Sequence, residues 1–145
     1  MFEKLFMLVK NNAGMAVINN PEVPEKYREA IINEASSSII EVLKGQMESG
    51  RLKDIVRYFQ YPEIYQNPLV NSVVNKFAGK LNKYYGMENA VALRVANDLM
   101  PPVMNELIRQ SKVEQNKDFG LGAFLSMING NRADLSGLVN DLIRG

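Results

Sequence analysis

The side chains that could carry chemistry are few in kind, because the chain contains no His, no Cys and no Trp. Their absence excludes a thiolate nucleophile, a Ser-His or Cys-His pair, and a zinc site built from Cys or His. The composition therefore favours a non-enzymatic protein, and no cofactor or metal site is predicted. An enzyme would need a buried Asp, Glu or Tyr with a perturbed pKa, and a cleft around Asp98 or Glu106 would mark such a site.

A row of carboxylates is the first candidate site. Glu34, Glu41 and Glu48 are seven residues apart and so share one face of a predicted helix. Such a row could bind a hard cation through its oxygen atoms. We interpret it instead as a solvated face, with Lys44 as an ion-pair partner. The Ser36-Ser37-Ser38 run on the same helix favours close helix packing over a serine nucleophile, since no His is present to activate it.

A basic face is the second candidate. Lys76, Lys80 and Lys83 are spaced four and three residues apart, and Tyr84 and Tyr85 follow them. Lysines in this pattern can contact phosphates, and a tyrosine can stack on an unpaired base. Lys and Arg total 17 against 16 for Asp and Glu, so no overall field attracts a polyanion. Weak nucleic-acid binding through Lys76, Lys80, Lys83 and Tyr84 is therefore the alternative function.

A short glycine motif is the third candidate. Gly120-Leu121-Gly122 resembles half of a phosphate-binding loop, but it follows no predicted strand and lacks the third glycine. We interpret it as the entrance to a helix that begins after Asp118, a good capping residue. No phosphate-binding site is predicted here.

The elements that position these residues are helices. Five short segments repeat the apolar spacing i, i+3, i+4 and i+7, which lies on one stripe of an α-helix. They are Phe2/Leu5/Phe6/Val9, Leu52/Ile55/Val56/Phe59, Val70/Val73/Val74/Phe77, Leu121/Phe124/Leu125/Ile128 and Leu135/Leu138/Val139/Leu142.

Two longer helices are predicted from about Pro24 to Met47 and from about Glu88 to Lys112. Gly86 is expected to stop the helix that begins at Asn67-Pro68. Pro101-Pro102 would kink or split the second long helix, and the apolar stripe that continues in phase beyond them favours a kink. No alternating run of β-branched residues predicts a strand.

The predicted fold is all-α, a single multihelical domain of residues 1–145 with about seven or eight helices. The order of elements predicts an internal duplication of a short–long–short unit, with pseudo-repeats at about 1–62 and 66–130 and an extra C-terminal helix at about 133–144. The two long helices are expected to pack across each other.

Several segments resemble the YidB-like family of small helical bacterial proteins of unknown function. The resemblance covers nearly the whole chain, but it lies in turns and helix boundaries and supplies no catalytic residue. It implies a helical domain similar to three-helix DNA-binding units. The segments are Leu8-Val9-Lys10-Asn11-Asn12-Ala13-Gly14, Val17-Ile18-Asn19-Asn20-Pro21, Asn67-Pro68-Leu69-Val70-Asn71, Leu99-Met100-Pro101-Pro102-Val103-Met104-Asn105 and the Gly- and Leu-rich tail from Phe119 to Leu142.

The C-terminal helix is the predicted docking element, because it follows the completed duplication. Two turns of isolated helix do not persist in water, so its apolar stripe must dock on its own core or on a neighbour. The function predicted from this surplus helix is protein binding or assembly, with a second copy or another protein as partner. The docking stripe consists of Leu135, Leu138, Val139 and Leu142.

The predicted location is cytoplasmic. The five apolar residues Leu5-Phe6-Met7-Leu8-Val9 are followed at once by Lys10 and are too few for a secretory signal. No stretch approaches the roughly 18–20 apolar residues of a membrane span, so no membrane partner is predicted. The absence of Cys is compatible with a reducing compartment.

Overall fold

The computed structural model describes residues 2–62, 67–112, 119–130 and 134–144, and these form helices joined by short turns without any strand among them. The all-α prediction is confirmed. The elements are α1 (Phe2–Asn11), a π-helical turn (Gly14–Ile18), a 3-10 turn (Glu25–Tyr27), α2 (Arg28–Glu48), α3 (Leu52–Gln60), α4 (Pro68–Tyr85), α5 (Asn89–Ser111), α6 (Leu121–Ile128) and α7 (Ser136–Arg144).

One cluster of buried apolar side chains extends through all seven α-helices. The most extensive packing joins α4 to α5, and α2 packs against α4 on one side and α1 on the other. Phe59 of α3, Phe77 of α4 and Phe124 of α6 are fully buried within this cluster. Apart from Phe2 and Leu138, which are exposed, the predicted apolar stripes face the core, because burying them removes their apolar surface from water.

The helix boundaries follow from local residues. Pro68 occupies the first turn of α4, where its missing N–H costs nothing, and the side chain of Asn67 accepts a hydrogen bond from the N–H of Leu69 at 2.9 Å. Gly86 ends α4 in the left-handed conformation at φ 66°, as the sequence predicts.

The helix α5 runs without interruption through Pro101 and Pro102. Proline has no N–H, so Pro101 and Pro102 cannot donate the usual helical hydrogen bonds to the carbonyls of Asn97 and Asp98, four residues earlier. Both residues are exposed, so water can hydrogen-bond to these carbonyls instead. The helix is therefore not split at the prolines, and the kink stays a prediction.

The arrangement of the long helices differs from the prediction. The helix α4 has 18 residues and is not a short element like α1. Because its buried stripe runs from Leu69 to Leu81, α2 and α5 each make their main contacts with α4 rather than with each other. The expectation that the two long helices pack across each other is therefore wrong, and the internal duplication stays a prediction.

Asn67 provides a test of how the start of α4 is fixed. Its side chain is 2% exposed, and its Nδ2 also donates to the carbonyl oxygen of Tyr58 at 3.3 Å. Substituting Asn67→Ala is expected to lower the free energy of unfolding by about 1–2 kcal/mol, because the cap of α4 is lost. Urea denaturation followed by circular dichroism measures the change.

Asn71→Ala is the matched control, since Asn71 is an exposed residue of the same helix. This control should stay within about 0.5 kcal/mol of the wild type. Equal stabilities of the two variants would show that the Asn67 side chain does not hold the start of α4.

Candidate functional site

The lysines of the predicted basic face are partly neutralised by α2. The Nζ atom of Lys80 lies 2.8 Å from the Glu41 carboxylate and 3.5 Å from the Glu34 carboxylate, and its side chain is only 13% exposed. The Nζ atom of Lys76 lies 3.8 Å from the same carboxylate of Glu41. Glu34 and Glu41 thus pair across to α4, and no ion pair joins either of them to the predicted partner Lys44 within the described residues.

The two tyrosines at the end of α4 have different surroundings. Tyr84 is exposed, and the Nζ atom of Lys83 lies 5.4 Å from the centre of its ring. The ring of Tyr85 instead packs edge-on against Tyr27 at 5.7 Å. Burial, and then the negative charge of Glu34, raise the pKa of the Tyr85 hydroxyl. Of the two, only Tyr84 offers an accessible ring for stacking.

Both candidates for acid–base chemistry line cavities, of about 460 Å³ at Glu106 and about 550 Å³ at Asp98, but neither side chain is buried. The Glu106 carboxylate accepts hydrogen bonds from Arg109 Nε and from Gln110 Nε2, both at 2.9 Å, and these lower its pKa to about 2. It is therefore ionised near neutral pH. Asp98 is exposed and borders an open cavity of about 550 Å³ beside Met15 and Pro102. The described residues contain no group of three acidic side chains that could hold a metal ion.

The predicted docking stripe of α7 lies mostly on the chain's own core. Val139 is fully buried, and Leu135 and Leu142 are partly buried against the core cluster. Leu138 is 51% exposed and lies at the edge of the stripe. The helix makes its main contacts with α3 and α6. Of the two alternatives left open by the sequence, the structure places the stripe on the same chain.

The helix α6, beneath α7, is apolar on all sides. Its sequence is LGAFLSMI, and six of its eight residues are buried. A helix of this kind needs cover on more than one face. It packs against α2 and against α7. Gly120 is the residue before the helix and offers no side-chain cap, whereas the predicted capping residue Asp118 lies outside the described residues.

Polar contacts hold both ends of α7. The N–H of Leu135 donates to Ser126 Oγ at 2.8 Å, and this hydroxyl itself donates to the Gly122 carbonyl at 2.7 Å. At the other end, Gln60 Nε2 donates to the carbonyl of Ile143 at 3.1 Å. The Asp134 carboxylate accepts the N–H of Ser136 at 2.9 Å, and this hydrogen bond lowers the pKa of Asp134.

A cleft of about 720 Å³ lies beside α7, between the ends of α3 and α5 and the start of α6. Two exposed apolar side chains line it, Tyr61 at 72% and Ile143 at 43% exposure. Its polar lining includes Asn140 and Lys112, whose Nζ donates to the carbonyl of Gln60 at 3.3 Å. Because it combines apolar walls with a few polar groups, this cleft is the candidate binding site.

Sequence reasoning did not single out Tyr61 or Ile143. Tyr61 lies just beyond the apolar stripe of α3, and Ile143 lies off the spacing of the α7 stripe. The sequence feature that does lie at the cleft is the Gly120-Leu121-Gly122 motif, and Gly122 packs directly against Ser136 of α7. Its role in the structure is close helix packing, as opposed to phosphate binding.

The chain matches no protein-family model, and neither a curated protein nor a solved structure is significantly similar to it. The resemblance to the YidB-like family stays a prediction. Among the described helices, none combines the length and the apolar character needed to cross a bilayer.

The contact between α6 and α7 can be tested at Gly122. A Cβ atom at this position would lie 2.7 Å from the Cα atom of Ser136, so the start of α7 would have to shift. We expect Gly122→Ala to lower the free energy of unfolding by about 1–3 kcal/mol, as overpacking does. Urea denaturation measures this loss.

Gly79→Ala serves as the control, because a Cβ at Gly79 in α4 would meet nothing within 4 Å. Alanine has a higher helix propensity than glycine, so the free energy of unfolding of this variant should rise by up to about 1 kcal/mol. If both alanine variants were equally stable, the close approach of α7 to α6 would be refuted.

The pairing of Lys80 gives a second prediction. Lys80→Gln should lower the free energy of unfolding by about 1–2 kcal/mol, because the carboxylates of Glu34 and Glu41 would lose the cation between them. Lys83→Gln, at an exposed position of the same helix, should change it by less than about 0.5 kcal/mol. Urea denaturation at low and high salt measures the free energy of unfolding of both variants. An equal decrease for Lys80→Gln and Lys83→Gln would contradict the pairing of Lys80.

Proposed function

We propose that this protein is a non-enzymatic protein-binding or assembly module of the cytoplasm, and that its partner binds in the cleft beside α7. The observation that carries this proposal is the pair of exposed apolar side chains, Tyr61 and Ile143, that line a cleft of about 720 Å³. The partner is a protein, either a second copy of this chain or a different one.

The chemistry of the cleft supports a protein partner. Tyrosine is enriched among the residues that dominate binding energy at interfaces, and it supplies a large contact area with few rotatable bonds. Beside Tyr61 and Ile143, Lys112 and Asn140 provide the polar groups that surround the apolar centre of a typical interface. A partner segment that inserts apolar side chains here would cover surface that is now exposed to water.

Nucleic-acid binding through Lys76, Lys80, Lys83 and Tyr84 remains the alternative proposal. The exposed ring of Tyr84 beside Lys83 supports it. The ion pairs of Lys76 and Lys80 with α2 weigh against it, because a phosphate would have to compete with carboxylates already in place. This alternative requires an affinity that falls steeply with salt and that decreases when the lysines become glutamines.

Site-specific photocrosslinking tests the cleft proposal in the cells that make the protein. A photoreactive phenylalanine derivative replaces Asn140, which lines the cleft, or Asp141, which is exposed but does not line it. We expect a discrete protein adduct from position 140 and none from position 141, because the partner lies in the cleft. Adducts are detected by a shift in electrophoretic mobility and identified by mass spectrometry.

The Tyr61→Ala substitution is then combined with the photoreactive residue at position 140. Tyr61 is 72% exposed, so its removal should leave the fold intact while the adduct decreases about tenfold or more. An adduct that forms equally at positions 140 and 141, or one that persists without Tyr61, would contradict binding in the cleft.

A further inference from the structure

The helix α7 has fewer buried residues than any other α-helix of the described chain. Of its nine residues, only Val139 is buried. Gly137, Asn140, Asp141 and Arg144 are exposed. Its main contacts are with α3 and α6, whereas the packing of α1, α2, α4 and α5 on one another does not involve it. The packing among α1, α2, α4 and α5 therefore does not depend directly on α7, whereas α3 and α6 do contact it.

The surface under α7 would be apolar if α7 left. Apart from Ser126, the helix α6 consists of apolar residues and glycine, and both α2 and α7 pack against it. Phe59 and Leu121, which are buried at 1% and 6% exposure, also line the cleft at the edge of α7. We refer to the face of α3 and α6 on which α7 lies as the α3/α6 groove. A groove of this kind binds the apolar face of an amphipathic helix.

The polar contacts of the groove are made to the main chain of its occupant. Ser126 Oγ accepts the N–H of Leu135 at the start of α7, and Gln60 Nε2 donates to the carbonyl of Ile143 near its end. These main-chain groups have no partner within a short helix, and every helix possesses them. The two contacts are eight residues apart, which corresponds to about 12 Å along a helix. The groove therefore fits a helix of about two and a half turns that carries an apolar stripe on one face.

We infer that the α3/α6 groove is a docking site for a short amphipathic helix of a partner protein, and that α7 occupies this site in the free protein until the partner's helix displaces it. The partner's helix carries apolar residues at i, i+3, i+4 and i+7, as Leu135, Leu138, Val139 and Leu142 do in α7. The groove adjoins the cleft, so a partner that binds there reaches the edge of α7 first. This inference rests on the proposed function only for the existence of a protein partner.

The release of α7 is testable in the unmodified full chain by native-state hydrogen exchange at low denaturant concentrations. We expect the amides of residues 139–143 to exchange about 100-fold or more faster than the buried amides of α5, through one common opening that depends on denaturant. Exchange of α7 only together with α5 would overturn the inference, since α7 would then leave only on global unfolding. Exchange without denaturant dependence would also overturn it, because that behaviour indicates fraying of single residues.

The capacity of the groove for a helix in trans is tested with a fluorescent peptide of residues 134–144 as the probe. The full chain carrying Val139→Asp should expose the groove, because a buried charge opposes docking of its own α7. We expect this variant to bind the peptide about tenfold or more tighter than the wild type, in which α7 competes at a high effective concentration. A peptide carrying the same Val139→Asp change is the matched control and should not bind.

Leu142→Asp is the second variant, in case Val139→Asp does not fold, since Leu142 is only partly buried. Absence of peptide binding to a variant whose circular dichroism shows the native helix content would overturn the inference. A wild-type dimer formed by exchange of α7 between two copies would overturn the assignment of the groove to a partner protein. The two proposals can fail separately: photocrosslinking from position 140 can succeed while α7 stays closed, and α7 can open while no adduct forms.

Discussion

The burial of the apolar stripe of α4 between α2 and α5 is the constraint on which the other elements depend. Leu69, Val73, Phe77 and Leu81 repeat along this helix and are all buried. Asn67 and Gly86 mark where α4 starts and stops. The end of α5 forms one wall of the cleft, at Ser111 and Lys112. The start of α4 lies near the same cleft, because Asn67 Nδ2 donates to the carbonyl of Tyr58, which precedes the cleft residues Phe59 and Gln60.

Helices of each predicted unit also contact the long helix of the other unit. The helix α1 packs against α5 as α4 packs against α2, and α3 packs against α5 as α6 packs against α2. The contacts of α1 with α2 and of α4 with α5, within each predicted unit, are more extensive, and the internal duplication stays a prediction. The third helices of the two predicted units, α3 and α6, both contact α7. The α3/α6 groove therefore forms where the two predicted units meet, which explains why a surplus helix is needed to cover it.

Much of the fold could be predicted from the sequence, because the signals are local. Apolar spacing identifies the buried face of each helix, and Asn67-Pro68 and Gly86 mark helix ends through backbone chemistry. These local patterns do not show which other helix packs against each buried face. The glutamates at 34 and 41 pair with Lys80, a residue about forty positions away, and the α7 stripe docks on its own chain. Tyr61 and Ile143 were missed for the same reason, since only the tertiary arrangement brings them to one cleft.

The distribution of charge and apolar surface favours a protein partner over a polyanion. Two of the three lysines that could form a binding face on α4, Lys76 and Lys80, are paired with carboxylates of α2. Elsewhere on the surface, Tyr61, Leu138 and Ile143 are exposed at or beside α7, a helix with a single buried residue. Apolar surface of this kind gains free energy when a partner covers it. Because the polar contacts at both ends of α7 go to main-chain atoms, specificity in the α3/α6 groove depends on the apolar spacing and the length of the helix it binds.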